Sequence, residues 1–127
     1  MRVRGFHCDA YGHVNNARYL EFFEEARWAG LEAADLLPRF KALGLQFFIV
    51  EINLQFKRAV LPGLNIEIHT FLGDVGRKTI TFHQQIWQDG NRMTEARITF
   101  VLYDVKAGRA ATLNSDLVKL FDSFKDA

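Results

Sequence analysis

Hydrophobic and polar positions along the chain fall into two periods. From about Asn16, the residues Tyr19, Leu20, Phe23, Ala26, Gly30, Leu31 and Ala34 recur at three- and four-residue spacing, with Glu21, Glu25 and Glu32 opposite them. That period predicts one long amphipathic helix. Asn15 or Asn16 stands where an N-cap is expected, and Pro38 is expected to end the helix or a short turn after it. Beyond it the period becomes two. Phe48, Val50, Ile52, Leu54 and Phe56 alternate with Glu51, Asn53 and Gln55 across 46–58, the signature of a strand. Three further strand-like runs follow at 64–72, 77–88 and 92–105. Gly73–Gly76, Asp89–Asn91 and Lys106–Gly108 supply the turns between and after them. Residues 2–8 are expected to form a short strand and residues 9–16 a polar loop into the helix. Residues 115–124 predict a short helix with Leu117, Leu120, Phe121 and Phe124 on one stripe.

This order buries the helix stripe most simply if an antiparallel sheet of about five strands wraps around the helix, giving an α+β architecture. Such a sheet leaves an unpaired edge, so a second copy of the chain is the expected partner. At 127 residues the chain is expected to be a single domain, 1–127. There is no internal repeat, no low-complexity tract and no linker.

Composition narrows the function. Hydrophobic residues make up 49% and charged residues 24%, so disorder is excluded. Twelve Phe residues allow a chain this short to build a large core or to line an apolar cavity. Sixteen basic against fifteen acidic residues leave a net charge of +1, with no footprint for nucleic acid or anionic membrane. No apolar run reaches membrane-spanning length and no cleavable leader is visible, so a soluble cytoplasmic protein without membrane insertion is expected. The single cysteine, Cys8, forms no internal disulfide. Ser115 and Ser123, the only serines, lie outside G-x-S-x-G, which removes a serine hydrolase.

The stretch Asp9-Ala10-Tyr11-Gly12-His13-Val14-Asn15-Asn16-Ala17-Arg18-Tyr19, followed by a helix and four strands, resembles the hotdog-fold thioesterases of the 4-hydroxybenzoyl-CoA thioesterase type. Its continuation LEFFEEARWAGLE is similar to the bacterial long-chain acyl-CoA thioesterases of type III. The resemblance covers essentially the whole chain. It implies a hotdog fold, acyl-CoA as substrate, no cofactor and no metal, and a homodimer or homotetramer. It also places the carbonyl-polarising backbone amide seven residues after the aspartate, at Asn16.

Elementary chemistry agrees with that placement. Asp9 precedes a helix, where a carboxylate serves as nucleophile or general base, and residue types alone leave both roles open. The N–H groups of the first helical turn, around Asn15–Ala17, face a developing oxyanion with the positive end of the helix dipole behind them. Each residue also has a plain reading: Asp9 as a turn residue, Asn15 and Asn16 as caps, His13 as a loop histidine bonded to backbone. In the catalytic reading His13 orients water or the Asp9 carboxylate. Tyr19 and Phe23 are core residues or walls of the acyl cavity, with Phe48 and Phe56 expected beside them. For the CoA phosphates the resemblance points to basic residues near a dimer groove. Lys57, Arg58, Arg77 and Lys78, at strand ends, are the candidates, against their ordinary role as solvated charges. Glu51 and Asn53 reach a partner's site or face solvent, and Gln55 faces solvent.

Other chemistries fit less well. Gly73 to Thr79 has two residues between its glycines where a P-loop has four, and leads into a strand-like run, so a hairpin turn is expected. His7, Cys8 and His13 lack metal-ligand spacing, and Cys8 is expected as a buried, inert thiol. The hydratases that share the hotdog fold differ in their Asp–His spacing. An acyl-carrier-protein thioesterase and a non-catalytic acyl-binding hotdog dimer remain as alternatives.

Overall fold

The structure, a computed structural model, describes residues 1–9, 12 and 14–124. Asn15 caps the long helix α1 (Asn16–Ala33), its side-chain oxygen accepting the Ala17 N–H at 3.0 Å. Tyr19, Phe22, Phe23, Gly30 and Leu31 form its buried face. Leu20, expected on that face, is 40% exposed and Phe22 takes its place, because the buried stripe is narrower than the sequence pattern and centred one residue away. The helix ends at Ala34, where Asp35 turns the chain with a left-handed backbone, φ 55°. Pro38 does not end it. Pro38 stands in the first turn of a second helix, α2 (Leu36–Ala42), where the missing N–H has no helical acceptor to lose.

Four long antiparallel strands follow: β1 (Leu45–Phe56), β2 (Glu67–Val75), β3 (Thr79–Gln88) and β4 (Asn91–Asp104), in the sheet order β1-β4-β3-β2. Asp89 and Gly90, with φ of 51° and 73°, make the tight β3–β4 hairpin that the Asp-Gly pair signals. A fifth, two-residue strand, β5 (Arg109–Ala110), adds to the end of β4. The helix α3 (Ser115–Leu120) and a 3-10 turn at Phe121–Ser123 then lay Phe121 and Phe124 over the core.

The fifth strand is therefore not the one expected at 2–8. Arg2 forms one bridge to Asn65 and Cys8 one to Val14, and between them Gly5–His7 make a 3-10 turn. The His7 ring holds that turn by accepting the Arg4 N–H on Nδ1 at 2.9 Å, which takes the segment out of extended backbone. Gly73, expected in a turn, lies inside β2 instead. The His83 imidazole packs directly over it, in space that any Cβ would fill.

One irregularity decides which residues face the helix. The β1–β4 register shifts between Ile49 and Glu51, so Val50 is an extra residue. Leu45, Phe47 and Ile49 before it, and Ile52, Leu54 and Phe56 after it, pair with the inward-facing side of β4. Phe48, expected inside with Phe56, points off the outer face and is 60% exposed. The bulge reverses the alternation that the sequence shows as one unbroken run. Glu51, Asn53 and Gln55 are exposed on that same outer face.

The core lies between α1 and the sheet. Phe23, Phe82, Phe100, Ile80, Ile86 and Ile98 are among its fully buried residues, and Phe40, Phe47 and Phe121 close one end with ring centroids 5.1–6.3 Å apart.

Candidate active site

The loop before α1 is closed at its base by the Cys8–Val14 bridge and by the Asn15 N–H donating to the His7 carbonyl at 2.7 Å. Gly12, with φ 75°, donates its N–H to the Asp9 carbonyl at 3.1 Å, a turn that needs the left-handed backbone glycine accepts. This closure brings Asp9 beside the start of α1. Ala10, Tyr11 and His13 lie outside the described residues, so the role expected of His13 is not placed here.

Of the first-turn amides, most are already committed. Asn15 donates to His7, Ala17 to the Asn15 side chain, and Arg18 to the Asn15 carbonyl at 2.9 Å. Asn16, at the first helical position, has no intrahelical acceptor. It is the one amide of this group with no acceptor among the described residues. The site therefore narrows from the Asn15–Ala17 group to a single N–H.

Asp9, Asn16, Tyr19, Phe56, Lys57 and Arg58 line one cleft of about 230 Å³. Tyr19, 2% exposed, is its floor: its phenolic oxygen accepts the Val60 N–H at 3.1 Å and its ring meets Phe56 edge-on at 4.9 Å. Burial pushes the Tyr19 phenol above its ordinary value, the Val60 bond opposing this and the Asp9 charge adding to it, so the phenol is neutral. Phe23 is wholly buried behind it. Just past the cleft-lining segment that ends at Ala59, Gln88 fixes Leu61, accepting its N–H at 2.9 Å and donating to its carbonyl at 2.8 Å. Lys57 and Arg58 both donate backbone N–H groups to Met93, at 2.9 and 3.0 Å, which folds the strand end over the cleft. The Lys57 ammonium lies 3.4 Å from Glu95 and the Arg58 guanidinium 3.4 Å from Asn91.

Arg77 and Lys78 lie elsewhere. They line a separate polar groove with Arg109, Thr112 and Asn114, at the other end of the sheet. Leu45 borders that groove and Phe56 borders the Asp9 cleft. These are the two ends of β1, separated by roughly 35 Å of extended chain. Within one chain the two pairs of cations do not meet. Cys8 is half-buried rather than buried, its thiol 3.8 Å from the Arg4 carbonyl. Among the described residues no three His, Cys, Asp or Glu side chains are grouped to hold a metal.

Two residues that the sequence reading passed over belong to the same interior. Arg27 follows Tyr19 and Phe23 at four-residue steps and precedes Leu31 by four, a cation on the buried stripe of α1. Gln84 follows Ile80 and Phe82 at two-residue steps on the inner face of β3 and is 1% exposed. Arg27 Nη1 donates to Gln84 Oε1 at 2.9 Å.

A long helix held against a curled antiparallel sheet, with a carboxylate loop at the helix N-terminus, is the hotdog architecture of thioesterases. The chain belongs to the thioesterase-like superfamily, whose sequence profile matches residues 3–121, and it is an enzyme of the thioester hydrolase class. Long-chain acyl-CoA thioesterase FadM of Escherichia coli (strain K12) is 42% identical over 120 residues, covering 92% of this chain and 90% of that protein. The crystal structure of YbaW "Probable Thioesterase" from Escherichia coli superposes with a TM-score of 0.93 at 37% identity, covering 98% of this chain and 96% of that one. The L-carnitine dehydrogenase/betainyl-CoA thioesterase of Agrobacterium fabrum is 26% identical over 121 residues, which span 94% of this chain and 25% of that protein.

Proposed function

We propose that the protein hydrolyses medium- to long-chain acyl-CoA to free fatty acid and CoA. Asp9 is the general base or nucleophile, and the Asn16 N–H is the donor to the thioester carbonyl. The observation that carries this reading is the sharing of one small cleft by the Asp9 carboxylate and the uncommitted Asn16 amide, between an aromatic wall and two cations. A carbonyl bound to the Asn16 N–H exposes its carbon to whatever Asp9 delivers. In one route the Asp9 carboxylate attacks that carbon, the C–S bond breaks, CoA leaves as thiolate, and water cleaves the resulting anhydride. In the other, Asp9 removes a proton from a water that attacks the carbon directly, and the tetrahedral intermediate collapses with cleavage of the C–S bond, releasing CoA as thiolate and the free acid. Both routes build negative charge on the carbonyl oxygen, where the helix N-terminus stabilises it.

The remaining assignments follow from the same reading. Tyr19 and Phe23 back the acyl chain, and His13 orients water or the Asp9 carboxylate. Lys57 and Arg58 meet the CoA phosphates from the same chain, Arg77 and Lys78 from a second copy. The active form is then a homodimer or homotetramer of one hotdog domain, 1–127. That unit length is supported by the betainyl-CoA relative, in which the matching stretch is 25% of a larger protein. A cytoplasmic location suits an acyl-CoA substrate, and no described helix is long and apolar enough to cross a membrane.

Thiol release from acyl-CoA substrates of rising chain length, with Asp9→Asn alongside, tests the proposal. Release should rise with chain length and fall by about 10²–10⁴-fold in the variant, the contribution of a positioned base. Near-wild-type hydrolysis by Asp9→Asn removes Asp9 from its role. Release from acyl carrier protein alone transfers the substrate class.

A further inference from the structure

A second cavity, of about 440 Å³, lies between α1, α2 and the first half of β1. That volume is within the range of small-molecule pockets, roughly 300–1,000 Å³. Leu31, Phe40, Phe47, Ile49 and Phe100 make most of its wall apolar; Arg27 enters from the middle of α1, and Glu24, Lys41 and Gln46 are the other polar residues of the lining. The guanidinium is fixed rather than loose. Gln84 Oε1 accepts its Nη1 at 2.9 Å, while Gln84 Nε2 donates to the Phe23 carbonyl and to Thr70 Oγ1, each at 3.0 Å. With its amide nitrogen so engaged, the Gln84 oxygen stays aimed at Arg27.

The partner is neutral, so the charge of Arg27 stands uncompensated by any ion pair among the described residues. Burial lowers the guanidinium pKa from its ordinary value, and the charge of Glu24, which lines the same cavity, opposes that without forming an ion pair with Arg27. A half-buried cation beside an apolar wall gains from a charged acceptor, and four of its five donors have no acceptor among the described residues.

The Asp9 cleft and this cavity are joined by the inner face of β1. Phe56 borders the first and Ile49 the second, with Leu54 and Ile52 between them. Ile52 is 43% and Ile49 37% exposed on this face, an apolar track that the helix leaves open. Along α1, Arg27 stands about 16 Å from Asn16 at 1.5 Å per residue. A zigzag alkyl chain advances about 1.25 Å for each C–C bond of about 1.5 Å, so about a dozen carbons span the interval.

We propose that the cavity is the distal acyl sub-site and that Arg27 is a specificity-determining residue for it. It receives a carboxylate at the far end of the acyl chain, so that ω-carboxyacyl thioesters of about a dozen to fourteen carbons are substrates. The inference rests on the thioesterase reading of the Asp9 cleft and adds the class of chain that reading accepts.

The test compares tetradecanoyl-CoA with the mono-CoA thioester of tetradecanedioic acid, for the wild type, Arg27→Met and Arg27→Lys, as kcat/KM. The wild type should use the diacid thioester at least as well as the plain one. Arg27→Met should shift the ratio against the diacid by about 10–100-fold, the range of one lost charged hydrogen bond, and Arg27→Lys should recover part of that shift. Calorimetric binding of the two free acids reads the sub-site without turnover and needs only the wild type should Arg27→Met not fold. Tighter binding of the diacid supports the proposal and equal binding overturns it. An unchanged ratio in Arg27→Met overturns it too, as does a change in sedimentation mass, which would make a carboxylate of a second copy the partner. If neither thioester is hydrolysed while the diacid still binds preferentially, the Asp9 reading fails and the sub-site stands.

Discussion

At the scale of single residues, Tyr19 joins the site to the core. Its phenolic oxygen is the acceptor for the Val60 N–H, so Tyr19→Phe leaves a buried donor without a partner. That should lower stability by about 1–3 kcal/mol, measured as a shift in urea midpoint. The sign with pH follows from the direction of its shift. Burial raises the folded pKa above the ordinary 10.0, so the unfolded chain gives up its proton first. The contribution of Tyr19 is whole below about pH 10 and is lost as pH rises through the raised value. Urea midpoints taken between about pH 8 and 11 should therefore decline steeply in the wild type and more shallowly in Tyr19→Phe. Asp9, Asn16 and Tyr19 were legible in the sequence because all three lie in one short string. Arg27 was legible too, since 19, 23, 27 and 31 are one helical stripe, but a cation on an apolar stripe reads as an interruption of the pattern. Only its bond to Gln84, 57 positions away, makes it part of a built interior.

Among the elements, β1 shows how far periodicity reaches. The alternation from Phe48 to Phe56 locates the strand, and the structure agrees over 45–56. Which face is inward depends on Val50, because one extra residue exchanges the faces on either side of it. Deleting Val50 removes the one unpaired residue and brings Leu45, Phe47 and Ile49 into line with Ile52, Leu54 and Phe56 on the inner face, so the deletion should cost less than the roughly 3 kcal/mol of turning two apolar side chains outward. Val50→Ala, at a position 52% exposed, should stay within about 0.5 kcal/mol. A fall in the urea midpoint worth about 3 kcal/mol or more for the deletion would show instead that one half of β1 has changed face. The helix α2 escaped the sequence reading because Pro38 looks like a stop. Whether a proline ends a helix or sits in its first turn depends on where the preceding helix stops, and Asp35 decides that with its left-handed backbone.

For the whole molecule, the separation between the Asp9 cleft and the Arg77–Lys78 groove is the consequential dimension. Because the two stand at opposite ends of β1, no single chain supplies both to one CoA. The proposed arrangement has each subunit lend its groove to the cleft of another, and a mixing experiment checks it. Asp9→Asn subunits and Arg77→Ala/Lys78→Ala subunits, unfolded together and refolded, should form mixed dimers with one intact site. Those dimers should regain turnover at the wild-type KM with about half the wild-type kcat, an outcome in line with sites shared across subunits. Retention of the raised KM of the double variant would place the phosphates within one chain, on Lys57 and Arg58 alone. β1 is an unpaired edge of the sheet, which is consistent with a neighbour there.

By itself the sequence determined what local rules govern. Periods of 3.6 and 2 set the long helix and four strands, an Asp-Gly pair set one hairpin, Asn15 set a cap, and one short string held Asp9, Asn16 and Tyr19. What the tertiary structure decided was every relation between distant positions. It set the face of β1 beyond its bulge, the meeting of Lys57 and Arg58 with Asp9, the parting of Arg77 and Lys78 from them, and the bond from Arg27 to Gln84. The reason is physical: backbone preference and side-chain period act over a turn or a strand. Register and packing join residues tens of positions apart, and their energy depends on every layer of the core at once.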